Sequence, residues 1–376
     1  MLRSITKQTL AASVLAVGLA FLAGCSSTSV PNGTSVATGG SATPSVGAAG
    51  KVALLLPESK TARYEARDKP TFTNALAAAC ANCELLYYNA DGDANKQLSQ
   101  AQSALTNGAK VLVIDPVDST AAASIVAAAK AQNAKVISYD RLVLNADLDY
   151  AVKFDNVAQG KVQATALVDK LRADGKASGS IVMINGSSTD ANSAPLKQGA
   201  HSVLDSSGYE IAAEYDTPDW SPDKAQNEMQ QAITKLGAAN IVGVYVANDG
   251  MASGAIAALK SAGVSPLPPV TGLDAGVDSI QRIIAGDQYQ TTYLNVEQEA
   301  TAAAKLAAAV ISGAPVKDLV GQSINNGLKD VPALLLVPTS VTMSNLKAVI
   351  IDSGYLTVSS ICTGDYLKAC TAAGLS

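Results

Sequence analysis

Asp, Asn and Arg recur along this chain in short polar runs, each following directly on an apolar stretch. The runs are residues 58–64, Asp115, Asp140 with Arg141, Asp155 with Asn156, residues 187–192, Asp219 with Trp220, Asn248 with Asp249, and Asp274. A carboxylate accepts hydrogen bonds, a guanidinium donates a planar fork, and an asparagine amide does both in one plane. Such a set can satisfy a ligand rich in hydroxyl groups without leaving a buried group unpaired. Tyr and Trp add flat apolar surfaces with polar tips, which suit the C–H faces of a sugar ring. Trp220 is the only tryptophan and lies in a polar loop, residues 217–222.

Catalytic chemistry finds little support in the same residues. The single histidine, His201, falls in a helical stretch away from any serine elbow, which gives a Ser/His/Asp triad little support. Residues 185–188 lack the Gly-Lys-Ser/Thr of a phosphate loop, and no G-x-G-x-x-G turn opens a strand-helix unit. Asp249 and Asp274 could hydrolyse a glycoside at a suitable separation, which keeps a glycoside-binding or hydrolysing protein as an alternative. The reading adopted is a binding protein and not an enzyme, with no cofactor and no metal. No acidic calcium loop is present.

Export is written at the start of the chain. Positive charge precedes an apolar run, residues 9–22, that is too short for a comfortable membrane span. It ends in Leu22-Ala23-Gly24-Cys25, which resembles the bacterial lipobox, so Cys25 is the expected site of lipidation and the new N-terminus. Residues 26–50 are Ser, Thr, Gly, Ala, Pro and Val with one Asn and no charge, the composition of a flexible tether. A coil of that length reaches roughly 25–30 Å. The four other cysteines, Cys80, Cys83, Cys362 and Cys370, are even in number in an exported chain, which favours disulfides. Three pairings are open, and proximity favours Cys80 with Cys83 and Cys362 with Cys370. A four-thiolate zinc site and a redox-active Cys80-x-x-Cys83 are the alternatives.

The elements that would carry the polar runs are short. Of 376 residues 48% are hydrophobic and only 4% aromatic, a composition of parallel strands and Ala-rich helices in two domain-sized cores. Net charge is −5 with scattered Lys and Arg, so no basic footprint for nucleic acid exists. Strands are expected at residues 52–56, 85–88, 111–114, 136–139 and 151–154, with helices at 71–79, 95–107 and 119–131. After Asp155 the pattern restarts. Strands at 180–184, 211–215, 241–246 and 269–271 alternate with helices at 193–204, 222–236, 251–262 and 277–285. The fold class is therefore α/β, with two doubly wound parallel-sheet lobes in tandem. Ligands of such sheets bind beyond the carboxyl ends of the strands, where the polar runs fall.

Longer stretches carry a family resemblance. Ala62-Arg63-Tyr64, Ser138-Tyr139-Asp140-Arg141, Phe154-Asp155-Asn156 with residues 164–169, Asp190-Ala191-Asn192, Ala247-Asn248-Asp249 and residues 326–332 are similar to the sugar-binding components of bacterial ATP-driven importers. The match is with the ribose-, galactose- and xylose-binding group, nearest to the xylose-binding members, and runs across nearly all of residues 51–355. It implies type I periplasmic-binding-protein-like lobes joined by three crossings, near residues 155–156, 294–295 and 323–325. Residues 1–24 are then the lipoprotein signal peptide and 25–50 the tether. Residues 51–155 with 295–323 form the N-terminal lobe, and 156–294 with 324–376 the C-terminal lobe.

The resemblance also implies that Arg63, Tyr64 and Arg141 contact the ligand from the first lobe. Asp190, Asn192, Trp220, Asn248 and Asp274 would contact it from the second. Two positions depart from the xylose-binding pattern: Tyr64 replaces a Trp, and Leu294 falls where that pattern has a Lys, which puts the preferred sugar in doubt. The expected partners are a monosaccharide and the permease and ATPase of a membrane importer, with a lipid anchor holding a monomeric body outside the cytoplasmic membrane. A sensor presenting the same sugar to a membrane receptor is the other function this pattern implies. The leader and the absence of a helix-turn-helix before Lys51 argue strongly against a sugar-responsive repressor.

Overall fold

Alternation of period two inside fully apolar runs builds the first sheet. The computed structural model describes residues 49–375; the signal peptide, Cys25 and all of the tether up to residue 48 lie outside the described residues. In β1 (Ala49–Leu56) the side chains of Val52, Leu54 and Leu56 enter one core with Phe72 and Leu76 of α1 (Lys69–Ala79) and Ala300, Ala304 and Ala307 of α9 (Val296–Ser312). Ala53 and Leu55 enter a second core, with Ala101 and Leu105 of α2 (Ala94–Thr106) and Ile125 and Val126 of α3 (Ala123–Ala131). A strand apolar on both sides is what a parallel sheet covered by helices on both faces requires. β1 begins at Ala49, so the last residues assigned to the tether are already strand.

β1 pairs in parallel with β2 (Asn82–Asn89) and β3 (Ala109–Ile114), and β3 is followed outward by β4 (Lys135–Tyr139) and β5 (Tyr150–Phe154). β11 (Asp330–Leu336) lies parallel to β5, and β10 (Gln322–Asn325) closes the edge antiparallel to β11. The seven-stranded order is thus β10-β11-β5-β4-β3-β1-β2.

In the second lobe β6 (Ser180–Asn185) runs between β7 (Glu210–Asp216) and β8 (Ile241–Val246), all parallel. α4 (Asn156–Ala173), α5 (Ser193–Leu204), α6 (Pro222–Leu236) and α7 (Asp249–Ser261) pack their Ala, Leu and Met side chains into one core with these strands. α4 approaches α5 so closely that a Cβ at Gly160 would stand 1.9 Å from the Leu196 carbonyl oxygen. Residues 269–271, expected as a strand, contribute only an isolated bridge between Val270 and Val244. β9 (Gln290–Tyr293) instead pairs antiparallel with β12 (Thr339–Thr342).

The chain leaves the first sheet after β5, returns to it after β9, and leaves again after β11. The first two passages fall where the sequence places them. The third differs: residues 323–325 belong to β10, and the chain stays in the first sheet until Leu336. Both cysteine pairs are disulfides, Cys80–Cys83 and Cys362–Cys370, with Cα atoms 5.3 and 5.8 Å apart, which removes the zinc alternative. The second bridge closes a tail whose Leu356, Ile361 and Leu375 are buried in the core of the second lobe; α8 (Val277–Ala285) holds it, Gln281 donating to the Ile361 carbonyl at 2.7 Å. Among the described residues no helix is long and apolar enough to cross a membrane.

Candidate functional site

Polar caps at the strand-to-helix joints turn the chain into the cleft. Asp155 accepts from the Ala158 amide at 3.0 Å to start α4, Asn295 from Gln298 at 2.9 Å to start α9, and Asn248 from Met251 at 2.9 Å to start α7. These caps satisfy amides that the first helical turn leaves without partners. After β1, Glu58 accepts from the Lys60 and Thr61 amides and so sets the loop that delivers Arg63 and a single π-helical turn, Tyr64–Asp68.

All eight residues expected at the ligand line one cavity of about 50 Å³: Arg63, Tyr64, Arg141, Asp190, Asn192, Trp220, Asn248 and Asp274. Asp140, Asn156, Gln159 and Leu294 share its wall. Arg63 donates through Nη2 to Asp68 at 2.7 Å and to Glu299 at 2.9 Å, and its Nη1 is 3.3 Å from Asp140. Burial works against the Arg63 charge, but Asp68, Asp140 and Glu299 outweigh it and hold the guanidinium protonated even more firmly than usual. Tyr139 donates to Asp68 from behind.

The two lobes touch across the cavity. Arg141 Nε lies 2.9 Å from Asp190 Oδ2 and 3.5 Å from Asp115, and Nη2 donates to the Tyr64 hydroxyl at 3.3 Å. Asp190 also accepts from the Trp220 indole at 3.1 Å. Asn192 Nδ2 donates to Asp140 at 3.0 Å, and the Ala191 amide to Ser119 at 2.9 Å. The benzo edge of Trp220 sits against Gly186, where a Cβ would come within 2.1 Å of the ring. Burial pushes the carboxyls of Asp115, Asp190 and Glu299 up, with Arg141 opposing the shift at the two aspartates and Arg63 at Glu299.

Two groups face the cavity without a protein partner. The half-buried Asp274 carboxylate makes no hydrogen bond among the described residues, and burial holds it well above the usual carboxylate range, with Arg63 the opposing cation. Asn248 uses its side-chain oxygen as a helix cap, which leaves its amide nitrogen open. The pairing of Asp249 with Asp274 considered for hydrolysis is not assembled. Asp249 is occupied by Gln288 at 2.7 Å, the Thr291 hydroxyl at 2.8 Å and the Ala275 amide at 2.9 Å, and does not line the cavity.

Residues 52–315 match the family described as "Periplasmic binding protein domain". The chain belongs to the periplasmic binding protein family. Among relatives of this periplasmic binding protein, the D-xylose-binding periplasmic protein of Haemophilus influenzae is 33% identical, over 83% of this chain and 92% of its own length. The multiple sugar-binding periplasmic receptor ChvE of Rhizobium radiobacter is also 33% identical, over 81% of this chain and 90% of its own. A solved ABC transporter solute-binding protein of Clostridium phytofermentans with bound β-D-glucose superposes with a TM-score of 0.75 at 27% identity, covering 83% of this chain and 99% of that one. These relatives are named for binding and not for catalysis, in agreement with the reading from the sequence.

The sequence reading did not single out the residues behind the cavity wall of this binding protein. Asp68 and Glu299 hold Arg63, and Lys153 holds Asn156 and Asn192. Lys153 had a visible signal, a lone charge within the apolar run of β5.

Proposed function

We propose that this protein is the exported, lipid-anchored sugar-binding component of an ATP-driven importer, taking one monosaccharide into the cleft between its lobes. The observation that carries this reading is that the Asp274 carboxylate, without a hydrogen bond among the described residues, and the open Asn248 amide line the same cavity. A ring hydroxyl can donate to the first and accept from the second. Arg63, Tyr64 and Arg141 complete the contacts from the first lobe, and Asp190, Asn192 and Trp220 from the second. With the lobes in contact the cavity is only about 50 Å³, below the range of common ligand pockets, so the lobes must part to admit a sugar.

Entry then requires an open form, with the Arg141–Asp190 and Asn192–Asp140 contacts separated, and the sugar favours closure because only the closed form contacts it from both lobes. Cys25 would carry the lipid and residues 26–48 the tether, with the body acting as a monomer that delivers its sugar to a permease and its ATPase. Apolar Leu294 in the wall leaves the choice among pentoses and hexoses to experiment. Thermal shift and calorimetry with pentoses, hexoses and polyols test the reading, because a ligand of the native state raises the melting temperature by mass action. At least one monosaccharide is expected to bind, and a panel without a single stabilising sugar overturns the proposal. The Rhizobium radiobacter relative is named a receptor, so a sensing role is the second reading. Permease and ATPase genes beside this one favour import, and a receptor gene favours sensing.

A further inference from the structure

Lys153 is only 4% exposed, and its ammonium donates to Asn192 Oδ1 at 3.0 Å, to the Phe154 carbonyl at 3.1 Å and to Asn156 Oδ1. An ammonium has three donors and no acceptor. All three are therefore used, and both asparagines must turn their oxygen toward it. Their amide nitrogens then point the other way, Asn192 Nδ2 to Asp140 at 3.0 Å and Asn156 Nδ2 to Gln159 at 3.1 Å. Each of these nitrogens keeps a second N–H. Asn156, Asn192, Asp140 and Gln159 all line the cavity, whereas Lys153 stands behind it.

We infer that Lys153 is a positioning residue for ligand selection: it locks Asn156 and Asn192 with their N–H groups toward the cavity, so this wall recognises ligand oxygens as acceptors. The inference rests on the sugar-binding reading and adds to it the polarity of one wall. An asparagine free to turn over would offer donor or acceptor alike, and would discriminate poorly between a hydroxyl and its replacement. Lys153 also joins the lobes, since it lies on β5 and Asn192 precedes α5.

The test compares the intact protein with Lys153→Met, which keeps the length of the side chain and removes its donors. Affinity is measured by calorimetry for a sugar that the wild type binds and for its deoxy analogues, alongside thermal unfolding. The expected result is a Kd weaker by about 10- to 100-fold, the loss of hydrogen bonds to a charged group, with the preference for the parent sugar over one deoxy analogue reduced. The melting temperature is expected to fall as well, because Met leaves the Phe154 carbonyl and two amide oxygens without their shared donor, so the lost preference for the parent sugar over its deoxy analogue, and not the stability change, reads the positioning role. An unchanged Kd overturns the inference, and so does a Kd that weakens while the preference for the parent sugar over its deoxy analogues stays intact. Should Lys153→Met fail to fold, the wild-type crystal structure with that sugar decides. Both amide oxygens remaining on Lys153 supports the inference, and release of both asparagines overturns it. A wild type that binds no sugar sinks the functional reading together with this one, whereas a failure confined to the variant comparison sinks this one alone.

Discussion

Arg141 on the first lobe and Asp190 on the second stand 2.9 Å apart, and Asp190 extends the contact to the Trp220 indole at 3.1 Å. The same guanidinium is the cation beside Asp115, whose two carboxylate oxygens are buried without a hydrogen bond. Arg141→Met therefore strips two buried carboxylates of their counter-charge. Breaking a buried pair from one side costs about 3–5 kcal/mol, and chemical denaturation should show a loss of that order. Sugar affinity should fall by roughly 100-fold or more. A variant within 1 kcal/mol of wild type, as an order-of-magnitude margin, would mean that the bridge is not formed in solution.

Trp220 can lie in the wall only because residue 186 has no side chain. A Cβ there would meet the indole at 2.1 Å and the Ser193 hydroxyl at 2.6 Å. Gly186→Ala is expected to displace the ring, with a destabilisation of about 1–3 kcal/mol from overpacking. Trp220 is the only tryptophan, so its fluorescence reports the displacement directly. Emission and sugar Kd should shift together, and an unaltered spectrum in the sugar-free protein would count against this geometry.

Much of this cavity was legible because its residues sit at strand tips, where chain direction alone fixes which way a polar side chain can go. Arg63, Arg141, Asp190 and Asn248 needed only the strand boundaries and the local motifs. What escaped depended on which strands become neighbours. β11 begins Asp330-Val331-Pro332, and a proline argues against an interior strand. Pro332 nevertheless lies opposite β10, and the parallel ladder with β5 starts one residue later, at Ala333. Because β11 covers β5, Lys153 is interior and its charge must be met by Asn156, Asn192 and the Phe154 carbonyl. The late third crossing and the hidden role of Lys153 thus share one cause. Glu299 escaped for a different reason: one acid near the start of an Ala-rich helix reads as a solvated first turn until α9 is placed against Arg63.

The tail after Thr357 is held by its disulfide and by apolar burial remote from the cavity. Cys362 and Cys370 are eight positions apart, and closing so short a loop restricts the unfolded chain by about 2–3 kcal/mol in the loop-entropy account. Replacing both by Ala should lower the melting temperature, and a reducing agent should do the same to the wild type. Sugar Kd should stay within about threefold, a margin under 1 kcal/mol. A large loss of affinity would place the tail in control of the cleft.

Asp274 separates binding from stability most cleanly. Its backbone has φ of 108°, a region that side chains seldom adopt, and its carboxylate makes no hydrogen bond among the described residues. Strain and an unpaired charge at one position are what a binding group carries when its partner is a ligand. Burial raises its folded pKa above the ordinary 3.8, so the sugar-free protein binds this proton more tightly than the unfolded chain does. Its contribution to stability is therefore fully present below the ordinary value and is lost as pH rises through the folded one. Asp274→Asn should be at least as stable as wild type at neutral pH, with the difference vanishing in acid. A sugar hydroxyl that donates to the carboxylate prefers the charged form, so wild-type affinity should weaken on acidification while that of Asp274→Asn, lower by about 10- to 100-fold at neutral pH, stays flat. Unfolding curves and calorimetry across the acid range read both effects, and parallel affinity profiles for the two proteins would remove Asp274 from the binding site.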